Sequence, residues 1–338
     1  KSYSQFGYME GSYEIDTLNL ITFSANLFGY GLESTGLGTT QMMNAQRQHA
    51  YSYNLVTRSE NSSTHFNANF DYQRSFKKKG EYLTFSYRYG TSPNTNESHT
   101  DYDDIKDYPY DASYLYNQFY DNHSRTDEHI FQLDYTNPIN KVHSIDFGGK
   151  YILRNNKSES DYYKKSVTDN DYYLDERPES YYQQRHDIAS ACADYMVKTK
   201  KLSAKAGVRY EHTFSDVKYE KMPERNFDAG FDNLVPSVRL GYQLAPSKML
   251  SFSYQMRIAR PNINLLNPFR NTSNPTSVHY GNPDLDPAKS HRFGLSINSF
   301  SAKLSTNINL SYRLVNNSIQ SYTFMQDGIQ HSTYANIG

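Results

Sequence analysis

Two clusters of acids are the first side chains in this sequence that could do chemistry. Asp101, Asp103, Asp104 and Asp107 form one, and Asp169, Asp171, Asp175 and Glu176 the other; each offers the hard carboxylate oxygens that calcium prefers. Neither follows the D-x-D-x-D-G spacing of a calcium loop, so both read first as solvated charge. The 11 histidines are scattered. Among them His65, His99, His123, His129 and His143 never make the paired spacing of a helical zinc site. No G-x-S-x-G elbow, phosphate-binding glycine loop or Cys-His pair is present. Cys192 is the single cysteine, which excludes a disulfide framework and a multi-thiolate metal site. A net charge of -1 leaves no basic footprint for nucleic acid. The chain is therefore expected to be no enzyme and to hold no cofactor or resident metal. Three tyrosine pairs, Tyr162-Tyr163, Tyr172-Tyr173 and Tyr181-Tyr182, are a different matter. Their rings could stack on sugars or cover a peptide, or they could pack as an interfacial girdle.

The elements that must position these groups are legible from periodicity. From Leu202 to Phe214 the even positions are Leu, Ala, Ala, Val, Tyr, His and Phe, while the odd ones are Ser, Lys, Gly, Arg, Glu and Thr. That period of two is a strand with one apolar and one polar face. The same split separates Leu83, Phe85, Tyr87 and Tyr89 from Thr84, Ser86 and Arg88, and Leu250, Phe252, Tyr254 and Met256 from Ser251, Ser253, Gln255 and Arg257. A further run follows through Leu304, Ile308, Leu310, Tyr312 and Leu314.

The sequence is polar on average, with no run of about 18 apolar residues for a membrane helix. A transmembrane barrel escapes that test, because only alternate residues face lipid. The 33 Tyr and 18 Phe, with no Trp, suit the aromatic girdles of such a barrel, which Tyr must then supply alone. Short turns at residues 77–80, 137–141, 199–201, 245–248 and 299–301 alternate with long polar segments at 92–113, 158–181, 219–232 and 259–287. Tight periplasmic turns and long extracellular loops alternate in this way. Residues 46–58 read as a β-extension of the first extracellular loop, and the crossings come to about twelve. A soluble β-sandwich also alternates its faces and stays as a rival.

Residues 257–290 carry a more specific pattern. Arg257, Arg260 and Pro261 form R-x-x-R-P; Leu266, Asn267, Pro268 and Phe269 form L-N-P-F; and Gly281, Asn282, Pro283, Asp284, Leu285 and Pro287 form G-N-P-D-L-x-P. This region resembles the signature of TonB-dependent outer-membrane receptors, closely that of the outer-membrane β-barrel family common in Bacteroidota. The family continues with Glu-x-Ser, where this chain has Ala288-Lys289-Ser290. The prolines cannot donate to a ladder, so the segment is expected as an ordered, non-strand loop that sets register.

The resemblance implies an all-β, antiparallel transmembrane β-barrel, with residues 1–338 supplying about twelve strands of some 22 and the plug domain absent. The last residues, Asn336-Ile337-Gly338, read as a cut through such a barrel. It also implies a bacterial outer-membrane nutrient importer, with outer-membrane lipid, the plug domain, the TonB system and a surface lipoprotein as partners. A surface-binding or adhesin barrel without transport is the rival from the binding class. Arg88, Lys205, Arg209, Arg239, Arg257 and Arg313, on the polar faces, are expected to point into the lumen.

Overall fold

The computed structural model describes residues 1–108, 116–168, 171–177, 180–266, 271–274, 277–282, 284–326 and 329–337. Of the expected signature residues, Asn267, Pro268, Phe269 and Pro283 lie outside these. So does Asp169 of the second acidic cluster.

Among the described residues twelve long strands pair antiparallel in sequence order. They are β1 (Ser2–Asp16), β2 (Asn19–Met43), β3 (His49–Ser75), β4 (Tyr82–Lys106), β5 (Tyr116–Pro138) and β6 (His143–Ser166). After the two-residue β7 (Tyr173–Leu174), which pairs with β6, come β8 (Tyr182–Lys198), β9 (Leu202–Tyr219), β10 (Phe227–Ala245) and β11 (Lys248–Ala259). β14 (Ala288–Phe300) and β15 (Ser305–Asn316) complete the path, with β1 and β15 at the edges of an open sheet. The count of about twelve crossings is that of this path. A single sheet running through all of these strands replaces the two facing sheets that a sandwich would need.

The strands are joined at one rim by tight turns whose side chains close them. Asp16 Oδ1 accepts the backbone N–H groups of Leu18 and Asn19 at 2.7 and 2.9 Å, and Gly80 takes φ +84° where the Lys78–Glu81 turn closes. A left-handed residue there favours glycine. The last turn runs over residues 301–304, slightly later than the spacing suggested.

At the other rim the expected loops are much shorter than the sequence implies. Residues 92–106 belong to β4, 158–166 to β6 and 227–232 to β10. Residues 49–58 are the far end of β3, in register with β2 up to Met43, so they add no crossing. At ~3.3 Å per residue the 27 residues of β3 run roughly 90 Å, far beyond a hydrocarbon core of about 30 Å. The hairpins therefore stand well clear of the bilayer.

Register fixes the two faces. Leu83, Phe85, Phe131, Leu133, Phe147, Val208, Leu240 and Leu295 fall on one face and are solvent-accessible in the isolated chain, as lipid-facing groups must be. Tyrosines mark both borders of this belt. Near the turns, Tyr72 donates to Asn19 Oδ1, Tyr135 to Glu81 Oε1, and Tyr195 bonds His143 Nδ1, each at 2.6 Å. At the far border Tyr89 donates to Asp127, Tyr151 to Asp187 and Tyr210 to Asp232, at 3.2, 3.1 and 2.5 Å. Each of those aspartates also pairs on the same outer face with a second side chain, Arg125, Arg185 and the His212 imidazole respectively, at 2.8 Å. Outward charge begins at this line. On β8 it leaves residues 188–198 for the crossing, close to the 9–11 or so that a tilted strand requires.

The segment after β11 is not the strand-free loop the prolines suggested. It contains one helical turn, α1 (Ile263–Leu266), and two short strands, β12 (Asn271–Asn274) and β13 (Ser277–His279). These join β16 (Ser318–Gln326) and β17 (Ile329–Ile337) in a second sheet, ordered β12-β13-β17-β16. The prolines leave room for strands because the ladder positions fall between them, at 271–274 and 277–279.

Candidate functional site

The site is built on the inner face, above the line of outward aspartates. There a run of inward residues on β5, β6, β8 and β9 is polar and uncharged, and cross-strand register aligns them. Thr126 Oγ1 donates to Asn156 Oδ1 at 2.8 Å, Asn156 Nδ2 to Gln184 Oε1 at 3.1 Å, and Gln184 Nε2 to Ser215 Oγ at 3.0 Å. Farther along the same face Asn122 donates to Ser158 and Ser160 at 3.1 and 2.6 Å. These strands hold such residues because pairing satisfies their backbones, while the side chains satisfy one another across the sheet.

The ladder floors a cavity of about 1290 Å³ that Tyr30 of β2, His65 of β3, Tyr182 of β8 and Pro261 together border. Residues from strands so far apart in the path meet at one hollow, so the sheet is strongly bent, as a barrel wall is. Besides Tyr30, its tyrosines are Tyr120 and Tyr162, with ring centroids 4.8 Å apart, and Tyr182, 6.2 Å from the ring of Tyr219.

Arg260 closes one side. Its Nε donates to Thr213 Oγ1 at 2.8 Å and a terminal nitrogen pairs with Glu211, whose other oxygen takes Arg209 at 2.5 Å. From the Arg260 contact upward, burial on β9 alternates: Thr213, Ser215, Val217 and Tyr219 are at most 2% exposed while Phe214 stays open. Arg154, across the cavity, pairs with Glu128. Between the two arginines His186 stays uncharged: burial first, then the charges of Arg154 and Arg260, hold its imidazole down at about 4.

The expected site residues divide. In the signature region Pro261, Gly281, Leu285 and Pro287 are buried, and Asn282 donates to the Tyr334 carbonyl at 3.1 Å. Asp284 is exposed, its backbone N–H bonded to Asn282 Oδ1 at 2.9 Å, and Arg257 points along the inner face opposite Ser290. Of the tyrosine pairs, Tyr162 and Tyr182 face the cavity. The other four are engaged elsewhere: Tyr163 stacks on Phe119, Lys165 and Lys164 sit over Tyr172 and Tyr173, and Tyr181 donates to Asp161 with Lys221 3.3 Å over its ring. Burial, then the Asp161 carboxylate, raises the Tyr181 phenol well above its ordinary value. The six residues of the three pairs thus belong to β6, β7, β8 and the segments beside them rather than to one loop. The acids of both clusters are spread as well. Asp101 pairs with Arg58, Asp104 with Lys106, and Asp175 with Lys164 and Arg177. Among the described residues no group of three potential ligands could hold a metal ion.

The six inward cations lie on the lumenal face by register. Lys205 bridges Asp146 and Asp194 at 3.1 and 3.2 Å, and Arg313 donates to Ser290 at 2.9 Å. The Thr126-Asn156-Gln184-Ser215 ladder was missed in the sequence. Its members are isolated polar residues on four strands, and only register unites them.

A sheet with a lipid-facing belt, tyrosine girdles at both borders and a polar hollow on its inner face defines an outer-membrane β-barrel. More particularly, a profile of the Outer membrane protein beta-barrel family matches residues 74–338, and the chain belongs to that family. No curated protein matches the chain by sequence. Solved structures do. The unliganded ferric citrate transporter FecA is similar with a TM-score of 0.54 and 11% identity over 93% of this chain and 51% of that one. The Serratia marcescens hemophore receptor HasR, in complex with its hemophore HasA and heme, has a TM-score of 0.55 and 12% identity over 99% and 57%. The ferric-catecholate import receptor Fiu from K12 E. coli has a TM-score of 0.55 and 10% identity over 99% and 58%. These likenesses are of fold, and the similar structures are transporter and receptor barrels. The chain spans between about half and three fifths of each. It is a protein of the bacterial outer membrane.

Proposed function

We propose that the chain is part of a TonB-dependent receptor that imports a nutrient through its lumen, and that residues 1–338 supply barrel wall and extracellular hairpins. A plug domain and further strands belong to the same parent chain in this reading, and some 22 strands make the whole barrel. The R-x-x-R-P and G-N-P-D-L-x-P elements support the branch of the family common in Bacteroidota. A surface lipoprotein is a candidate partner at the extracellular rim.

The observation that carries the reading is the polar hollow at the lumenal mouth, bordered by the signature segment that Arg260 anchors on Glu211 and Thr213. A ligand captured there lies on the path into the barrel, in contact with Arg260, Pro261 and Asn262 at the start of the β11–β14 connection. Tyr162 and Tyr182 are its expected aromatic contacts, and Arg260 and Pro261 its expected contacts from the signature. The inward cations Lys205, Arg209 and Arg239 form the wall on which a plug docks.

The test is growth of the native host on limiting nutrients after deletion of the complete gene, in TonB-intact and TonB-depleted cells. A growth defect that TonB depletion reproduces, without adding to it, is the expected result. Binding of cells to a surface or ligand that persists unchanged without TonB, with no growth defect, would make the protein a surface-binding barrel instead.

A further inference from the structure

Resting on the import reading, we infer that the lumenal hollow takes an uncharged, polyhydroxylated ligand of the carbohydrate class. The argument begins with charge. Each of the two inward-pointing cations at the hollow already has a carboxylate: Arg154 has Glu128, and Arg260 has Glu211. Arg125 and Lys157 border it from the outer face and pair there with Asp127 and Glu159. Among the described residues no carboxylate lines the cavity. An anionic chelate would meet no cation there that lacks a carboxylate, and a cationic ligand would meet neutral acceptors but no counter-charge.

What the hollow offers instead is a dense set of neutral donors and acceptors. Asn94, Asn122, Asn156 and Gln184 contribute amides; Ser92, Ser124, Ser158 and Thr126 contribute hydroxyls. An amide uses one donor and one acceptor in the ladder and keeps a second N–H and a second lone pair. The Asn156 and Gln184 amides are therefore tied in orientation by their neighbours while still able to bond a ligand. His186, uncharged between its arginines, adds one donor or acceptor more. Hydroxyl-rich ligands match this alternation of donors and acceptors, since each hydroxyl both gives and accepts.

The aromatic borders complete the match. A sugar ring has polar edges and apolar C–H faces. The Tyr120–Tyr162 pair and Tyr182, which is backed by the buried ring of Tyr219, flank the amide ladder on the extracellular side, where such a face can lie on an open ring while the edges reach the amides. At about 1290 Å³ the space exceeds a drug-sized pocket of roughly 300–1,000 Å³ and suits several linked rings.

The test uses the complete receptor, purified in detergent, against two sets of probes: short neutral glucan, mannan and xylan oligosaccharides, and the anions ferric citrate and a ferric catecholate. Calorimetry should detect saturable binding of a neutral oligosaccharide with affinity unchanged between low and high salt, since no net charge is there to be screened. Tyr162→Ala should weaken it about tenfold, in line with loss of a stacking contact of order 1.4 kcal/mol. Gln184→Leu should weaken it as well, while both variants keep the heat-modifiable gel migration of a folded barrel. Binding confined to the anionic probes, affinity that falls steeply with salt, or no binding of any neutral oligosaccharide would overturn the inference. TonB-dependent growth on an anionic chelate would do so too, yet leave the import reading standing.

Discussion

The guanidinium of Arg260 rests on the carboxylate of Glu211, 49 residues earlier in the chain, and this contact ties the signature segment to the lumenal wall. Both side chains are largely buried, at 19% and 10% exposure. Removing the arginine leaves Thr213 without its donor and Glu211 with Arg209 alone. Arg260→Ala should loosen the segment by roughly 2–3 kcal/mol, the worth of hydrogen bonds to a charged group. Hydrogen exchange over residues 260–287 should rise by one to two orders of magnitude, about a factor of ten per 1.4 kcal/mol, while β4–β6 exchange as before. Unchanged protection would mean that the second sheet alone holds the segment.

Gln184 accepts from Asn156 and donates to Ser215 in the ladder, and it is buried. Gln184→Leu leaves both neighbours short of a partner, at a cost of about 1–3 kcal/mol. Local opening of β6 and β8 above the membrane border should rise accordingly. Lys218→Gln, on the outer face of the adjoining strand, should leave exchange unchanged.

The pH dependence of the same wall follows from His186. Its folded-state value of about 4 lies below the ordinary 6.5, so the opened form binds the proton first. The stability that a neutral His186 contributes is present above about pH 6.5 and is lost as pH falls toward 4. Local stability of β8 should therefore decline from pH 7 to pH 4, and His186→Gln should flatten the decline. An imidazole resonance that titrates near pH 6.5 in the folded receptor would contradict the assignment.

How much of this was legible depended on whether a strand had an apolar face. The crossings of β9, β11 and β15 announced themselves because Leu, Val, Tyr and Phe alternate with Ser, Lys and Arg. Above the bilayer both faces meet water, so a run such as Asn94-Thr95-Asn96-Glu97-Ser98-His99 carries no period, and β4 was read as ending where its lipid contact ends. It continues because β3 and β5 supply backbone partners through that stretch. The prolines of the signature did mark interruptions, yet the strands between them depend on β17, some fifty residues later. Tyr162 and Tyr182 were picked out by their pairing in sequence. That Tyr162 and not Tyr163 faces the hollow is a matter of parity on β6, and the ladder beneath is set by register across four strands.

The central claim, that one face of each strand meets lipid and the other the lumen, is tested most directly at two adjacent residues of β9. Val208 points outward midway between the two tyrosine borders, and Arg209 points inward onto Glu211. Outer-membrane fractions of cells expressing the full receptor should be assayed for heat-modifiable, folded protein. Val208→Arg, which places a charge near the bilayer midplane at about 2–4 kcal/mol, should largely abolish assembly, whereas Arg209→Ala should assemble close to the level of the unaltered receptor. Equal tolerance at the two positions would contradict the account.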